Sequence, residues 1–181
     1  FSLTVISCSK KDDSSSSSSA DGLTGTYQLA TNDYANGVAT DSSGNVYVTG
    51  GTKGGLDGNT NAGNTDLFVV KYNSSGTKQW TKQNGTDMYD EARGVATDSS
   101  GNVYVVGGTE GNLNGISNSG RTDAFVIKFN SSGTKQWTKK LGTWQNDLAN
   151  GVATDSSGNF YVTGFTYQHL DGNTSAGNAD L

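Results

Sequence analysis

The sequence predicts an all-β protein made of repeated four-stranded antiparallel sheets, and three observations support this. The segment GVATDSSGNVYVTG at residues 37–50 returns with few changes at residues 94–107 and 151–164, a constant step of 57 residues. Only 31% of the 181 residues are apolar, and the chain has 26 glycines and no proline. This composition favours many half-buried strands over one large core. Runs rich in Val, Tyr and Phe alternate with turn sequences rich in Asp, Asn, Ser and Gly.

Each 57-residue period is predicted to contain four strands, which we call a, b, c and d. In the first repeat they span residues 36–40, 46–50, 66–72 and 77–83. The turns between a and b and between c and d begin with Asp or Asn and carry Gly late. This pattern is typical of hairpins, because Asx side chains bond the turn backbone and Gly tolerates positive φ. A long polar loop, residues 51–65, joins strand b to strand c.

Four antiparallel strands per repeat are typical of one blade of a β-propeller. Strand c carries apolar residues on both faces, as expected of a sheet packed between two neighbouring sheets. The blades are predicted at about residues 31–83, 88–140 and 145–181, the last one incomplete. Two and a half blades form an open arc. We therefore predict a partial β-propeller, within residues 23–181, and expect the sequence to be a piece of a longer protein.

The repeated motifs carry a family resemblance. GVATDSSGNVYVTG, followed by FVxK[YF]NSSGTKQWTK, resembles the bacterial β-propeller repeat (SBBP) family over about residues 31–181. The resemblance implies a bladed propeller on an exported protein. It implies no defined activity, because one fold can carry many functions.

The N-terminal residues predict export and a lipid anchor. The tetrapeptide VISC, which ends at Cys8, resembles a bacterial lipobox, so residues 1–8 are interpreted as the end of a signal peptide. Cys8 is the only cysteine, and lipidation would explain it. The alternative is an ordinary apolar segment with a chance cysteine. Residues 9–22 contain six consecutive serines and are interpreted as a flexible tether. We expect a lipid-anchored protein at the outer membrane or cell surface.

The long b–c and d–a loops share one end of a propeller, and variable loops on a rigid scaffold are where binding usually takes place. Four residues in these predicted loops do not recur between repeats: Trp144, Phe165, Tyr167 and His169. Trp144 is predicted in a d–a loop and the other three in a b–c loop of the same blade. Aromatic side chains there are candidates for stacking on sugar rings or anchoring a partner protein. The alternative is a local hydrophobic patch, or drift in a tolerant loop.

One loop resembles the start of a calcium-binding loop. Oxygen-bearing side chains at alternate positions suit Ca²⁺, and they recur in the third repeat. The candidate ligands are Asp57, Asn59, Asn61, Asp171 and Asn173. The twelfth position of the loop is Phe68 rather than Glu, so the EF-hand pattern is incomplete. The favoured interpretation is a loop stabilised by Asx turns.

The recurring aspartates are interpreted as structural, because catalysis needs one special site rather than a copy in every blade. They open the DSSGN turns, precede strand a or start strand c: Asp41, Asp98, Asp155, Asp33, Asp90, Asp147, Asp66, Asp123 and Asp180. The sequence has one histidine and no recognisable nucleophile–base pair.

The sequence therefore favours a non-enzymatic binding or scaffold module with a polysaccharide or surface protein as ligand. The net charge of −5 argues against a nucleic-acid partner. Two alternatives remain open. One is a hydrolase or lyase of extracellular polymers, with its acids in other blades or around Trp144 and Asp147. The other is a structural spacer.

Overall fold

The structure, a computed structural model, describes residues 32–169. Over these residues it contains ten strands and one 3-10 turn: β1 (Tyr34–Thr40), β2 (Val46–Thr52), β3 (Asp66–Tyr72), β4 (Lys78–Asn84), β5 (Asp90–Thr97), β6 (Val103–Thr109), the 3-10 turn (Leu113–Gly115), β7 (Asp123–Phe129), β8 (Lys135–Leu141), β9 (Asp147–Thr154) and β10 (Phe160–Thr166). This described part has no helix long and apolar enough to cross a membrane. The predictions for Cys8, the serine tether, Asp171 and Asn173 lie outside it.

The strands form successive antiparallel sheets that match the repeats. The order is β1-β2-β3-β4 in the first sheet and β5-β6-β7-β8 in the second, and β9 pairs with β10 in a third. Strand a of each later blade packs against the preceding blade. The predicted all-β, partial β-propeller is thereby confirmed.

Strands a and b are longer than the sequence predicted. Strand a begins at Tyr34, and strand b continues to Thr52, because Gly50 and Gly51 pair with residues of strand c. A Cβ on Gly50 would lie 1.9 Å from the carbonyl oxygen of Tyr34. This close approach accompanies a β-bulge in strand a and explains why glycine stands inside a strand.

The main core lies between the first and second blades. Tyr47, Leu67 and Val69 of the first blade join a buried cluster with residues of the second, among them Val95 and Val105. The opposite face of strand c is also buried, where Phe68 and Val70 pack with Val48. Both faces of this strand are therefore covered, as the apolar pattern indicated. Each packed face removes apolar area from water and stabilises the stack of blades.

The DSSGN turns are capped by their aspartates. The carboxylate of Asp41 accepts hydrogen bonds from the backbone N–H groups of Ser43 and Asn45, at 2.9 and 3.0 Å. Its other oxygen accepts from Asn45 Nδ2 at 2.7 Å and from the Tyr47 hydroxyl at 2.9 Å. Burial raises the pKa of Asp41, but these bonds to the charged form outweigh burial and lower the pKa overall. The same contacts recur around Asp98 and Asp155.

Candidate binding cleft

The b–c and d–a loops are joined across neighbouring blades at one end of the arc. The backbone N–H of Asp90 donates to the Thr65 carbonyl at 2.8 Å, and that of Glu110 donates to the Tyr89 carbonyl at 2.9 Å. One blade further, the N–H of Asp147 donates to the Thr122 carbonyl at 2.7 Å. These bonds hold the loops of adjacent blades in fixed relative positions. They give this end of the arc a rigid frame on which side chains can be presented.

The aspartates that begin strand a in the second and third blades hold the d–a loops in place. Asp90 accepts hydrogen bonds from the Thr86 N–H at 2.6 Å and the Thr86 hydroxyl at 2.8 Å, and its other oxygen accepts from Thr109. Burial raises the pKa of Asp90, and the hydrogen bonds from the two threonines oppose that shift only in part. Asp147 has equivalent contacts and is also buried. These enclosed carboxylates hold backbone N–H groups and threonine hydroxyls of the d–a loops in place.

A cleft of about 220 Å³ opens at this end between the second and third blades. It is lined by Tyr89, Glu91, Arg93, Gly108, Glu110, Thr122, Asn146, Leu148 and Phe165. Leu148 and Phe165 provide an apolar wall. Charged side chains of the second blade provide the other wall.

Six of the lining residues do not recur at the 57-residue spacing: Tyr89, Glu91, Arg93, Glu110, Leu148 and Phe165. Arg93 stands where both other repeats have asparagine, and Phe165 stands where both have glycine. Most positions of strand b and the short turns are nearly identical between repeats. Several of the residues that distinguish one blade from another therefore meet at this cleft, whereas Trp144, Tyr167 and His169 lie outside its lining.

A β-bulge places Arg93 beside the cleft. The register of strands a and b shifts between Ala92 and Gly94, so Arg93 is the extra residue of strand a. Its Nε donates to Glu91 Oε2 at 3.0 Å, and its Nη1 donates to Asn150 Oδ1 at 3.2 Å. Arg93 is thus fixed between two blades.

Glu91 continues this polar network to the first blade. Its Oε1 accepts a hydrogen bond from Asn36 Nδ2 at 2.9 Å. Its side chain is 11% exposed, whereas that of Arg93 is 39% exposed. The network therefore links the innermost strands of three blades and leaves the guanidinium open to solvent on one side.

A tyrosine pair supports the side of the cleft near the first blade. The hydroxyls of Tyr34 and Tyr89 are 2.5 Å apart and share a hydrogen bond. Burial raises the pKa of the Tyr34 phenol, and its hydrogen bond to Tyr89 raises that pKa further. Tyr89 is thereby held in one orientation beside the cleft.

The structure separates the four predicted aromatic-loop residues. Phe165 and Tyr167 form an edge-to-face pair with ring centroids 5.3 Å apart. Phe165 was predicted in the b–c loop but belongs to β10, because strand b extends further than expected. Trp144 is 64% exposed in the d–a loop, and His169 is exposed beyond β10. Only Phe165 lines the cleft.

The described residues of the predicted calcium loop are engaged with other protein groups. The carboxylate of Asp57 forms an ion pair with Lys78 and accepts a hydrogen bond from Thr81. The Asn59 side chain donates to the Leu56 carbonyl at 2.7 Å. Asn61 accepts from the Gly63 N–H at 2.8 Å, which is an Asx turn. A cation would have to displace Lys78 from Asp57, so the calcium site stays a prediction.

Sequence reasoning missed Tyr89, Glu91, Arg93 and Glu110. The signal that could have found them is the same absence of recurrence that selected Phe165, applied to the second repeat as well as to the third. An aromatic side chain in a loop was the feature that selected candidates, and the charged residues Glu91 and Arg93 of strand a do not have it.

The chain was compared with known proteins. The SBBP beta-propeller repeat matches residues 28–57, 79–114 and 136–170, which together are more than half of the sequence. The chain belongs to the SBBP beta-propeller repeat family. The family resemblance predicted from the repeated motifs is thus confirmed.

Two curated relatives extend the comparison. The regulatory protein FlaEY of Caulobacter vibrioides is 30% identical over 147 residues, which are 74% of this chain and 15% of that protein. The uncharacterized WD repeat-containing protein L264 of Acanthamoeba polyphaga mimivirus is 27% identical over 144 residues, which are 67% of this chain and 10% of that protein. The SBBP chain therefore spans a small part of the length of either relative.

Proposed function

We propose that this SBBP chain is a non-enzymatic binding or scaffold module that engages a polysaccharide or protein at the cleft between its second and third blades. The observation that carries the proposal is the convergence of the six non-recurring residues on that cleft. The names of the two relatives, a regulatory protein and a WD repeat-containing protein, support binding rather than catalysis. The burial of the recurring aspartates that begin strands a and c, among them Asp90, Asp123 and Asp147, supports the same choice.

A binding screen with variants that restore the repeat pattern tests this proposal. The chain is screened against glycan and protein arrays, and hits are titrated by isothermal calorimetry. Phe165→Gly and Glu110→Lys each introduce the residue that another repeat carries at that position. We expect each change to weaken binding about tenfold, because each removes one wall or one free polar group of the cleft.

The matched control is Lys53→Glu, which places a glutamate at the equivalent position of the first blade. Lys53 is exposed and does not line the cleft, so this variant should bind like the original chain. If both cleft variants bind as well as the control, the proposed site is wrong. If folded protein binds nothing on either array, a structural spacer becomes the better description.

We further propose that the module is exported and anchored by a lipid on Cys8, with the serine run as a tether. The support is the VISC tetrapeptide and the unique cysteine.

Cys8→Ser, expressed in a bacterial host behind the complete leader, should abolish incorporation of labelled palmitate and release the protein from the membrane fraction. Ser7→Ala is the control and should keep the label. Equal labelling of the cysteine-free variant would contradict the proposed anchor.

A further inference from the structure

We infer that the cleft binds one neutral sugar ring of a polysaccharide chain. This inference rests on the proposed function and names the ligand class for the same site. It depends on three properties of the cleft: its charge balance, its apolar wall, and the polar groups that have no protein partner.

The charge balance disfavours ligands with strong charge. Arg93 is paired with Glu91 at 3.0 Å, and Glu110 adds a second carboxylate to the lining. An anionic ligand such as a phosphate would meet two carboxylates and one guanidinium that is already paired. A cationic side chain could pair with Glu110 but would also approach the Arg93 guanidinium. A neutral ligand meets no like charge and can donate a hydrogen bond to the Glu110 carboxylate that it covers.

The apolar wall and the size suit a single ring. Phe165 and Leu148 line one side, and Tyr167 supports the Phe165 ring from its edge. The C–H face of a sugar ring can pack on such a surface while its hydroxyls point elsewhere. The volume of about 220 Å³ is smaller than the roughly 300 to 1,000 Å³ typical of pockets for drug-sized ligands. The cleft is open on one side, so a polymer can continue out of it.

The opposite wall offers both donors and acceptors. Within the described part of the chain, Nη2 of Arg93, the Glu110 carboxylate and the Asn146 side-chain amide have no hydrogen-bond partner. A guanidinium donates hydrogen bonds, a carboxylate accepts them, and a side-chain amide does both. Each sugar hydroxyl also donates and accepts, so this set of groups matches a ring with several hydroxyls. The bulge and the bond to Asn150 hold the guanidinium in place before any ligand arrives, which lowers the entropic cost of binding.

The experiment titrates the full chain with neutral oligosaccharides of several linkages, with the same oligosaccharides carrying uronic acids, and with acidic and basic peptides. We expect a neutral oligosaccharide to bind, with affinity nearly unchanged between low and high salt. Arg93→Asn and Phe165→Gly should each weaken this binding about tenfold. Phe165→Tyr should retain most of it, because the ring remains, and Lys53→Glu should have no effect. Circular dichroism melts confirm that each variant is folded.

The outcomes separate this inference from the proposed function. If a charged peptide or a uronic acid oligomer binds and the two cleft variants weaken it, the ligand class is wrong and the binding site stands. If neutral oligosaccharides bind equally well to the original chain and to both cleft variants, this inference is wrong and so is the placement of the site. If none of these probes binds folded protein, the inference is overturned, and the protein arrays then decide the proposed function.

Discussion

Replacing Lys140 by alanine is expected to lower the free energy of unfolding by about 3 to 5 kcal/mol. The Lys140 side chain is 3% exposed, and its Nζ lies 3.4 Å from the fully buried carboxylate of Asp123. The ammonium also donates to the Gly111 carbonyl at 3.0 Å and to Asn118 Oδ1 at 2.6 Å. Alanine would leave these acceptors and a buried carboxylate without their donor. Urea denaturation followed by circular dichroism measures the loss.

The matched control is Lys140→Gln, because the first blade has Gln83 at this position. Gln83 Nε2 donates to the Gly54 carbonyl at 3.0 Å and to Asp66 Oδ2 at 2.9 Å, so an amide satisfies the equivalent acceptors there. The glutamine variant should lose only about 1 kcal/mol. Equal stability of the alanine variant and the original chain would show that the ion pair contributes nothing.

Replacing Gly107 by alanine is expected to destabilise the second blade by about 3 kcal/mol. A Cβ there would lie 1.9 Å from the carbonyl oxygen of Glu91 and 2.9 Å from the Cα of Ala92. Both contacts are with backbone at the bulge, so relief requires strand a to move. Because Arg93 is the bulged residue, the same movement should weaken ligand binding at the cleft. Urea denaturation and calorimetric titration measure the two effects.

Gly151→Ala is the control for this prediction. Its Cβ would meet only the hydroxyl of Thr163, at 3.0 Å, and that side chain can rotate. Gly151 also lies beside a bulge, in strand a of the third blade. We expect a change below about 1 kcal/mol, since alanine also reduces the conformational entropy of the unfolded chain. A larger loss at residue 151 than at residue 107 would contradict the structural explanation.

The repeat period carries most of the information about the fold. It predicted β3 with its observed bounds, and it separated the short turns from the long loops. It ended strand b at Gly50, two residues too early, because a second consecutive glycine, Gly51, normally indicates a loop. In the structure these glycines remain in the strand, where the bulged strand a approaches too closely for a side chain. This close contact between strands a and b depends on tertiary structure, so the preference of glycine for loops cannot reveal it.

The candidate site was predicted only in part, for a related physical reason. Phe165 was found because an aromatic residue replacing glycine is conspicuous. Arg93 was missed because alternation along a strand does not show which residue a bulge will turn outwards. The pairing of Arg93 with Glu91 and Asn150 joins strands from two blades. Arg93 and Asn150 are far apart in the sequence and are brought together by the stacking of the blades.

Hydrogen exchange along the whole chain, with and without a bound neutral oligosaccharide, would show directly where the ligand binds. We expect exchange to slow around residues 89–93, near Glu110 and near Phe165, and to stay unchanged at the DSSGN turns on the opposite end. Slowing at those turns or along the outer strands, with no change around the cleft, would contradict the assignment of binding to the site between the second and third blades.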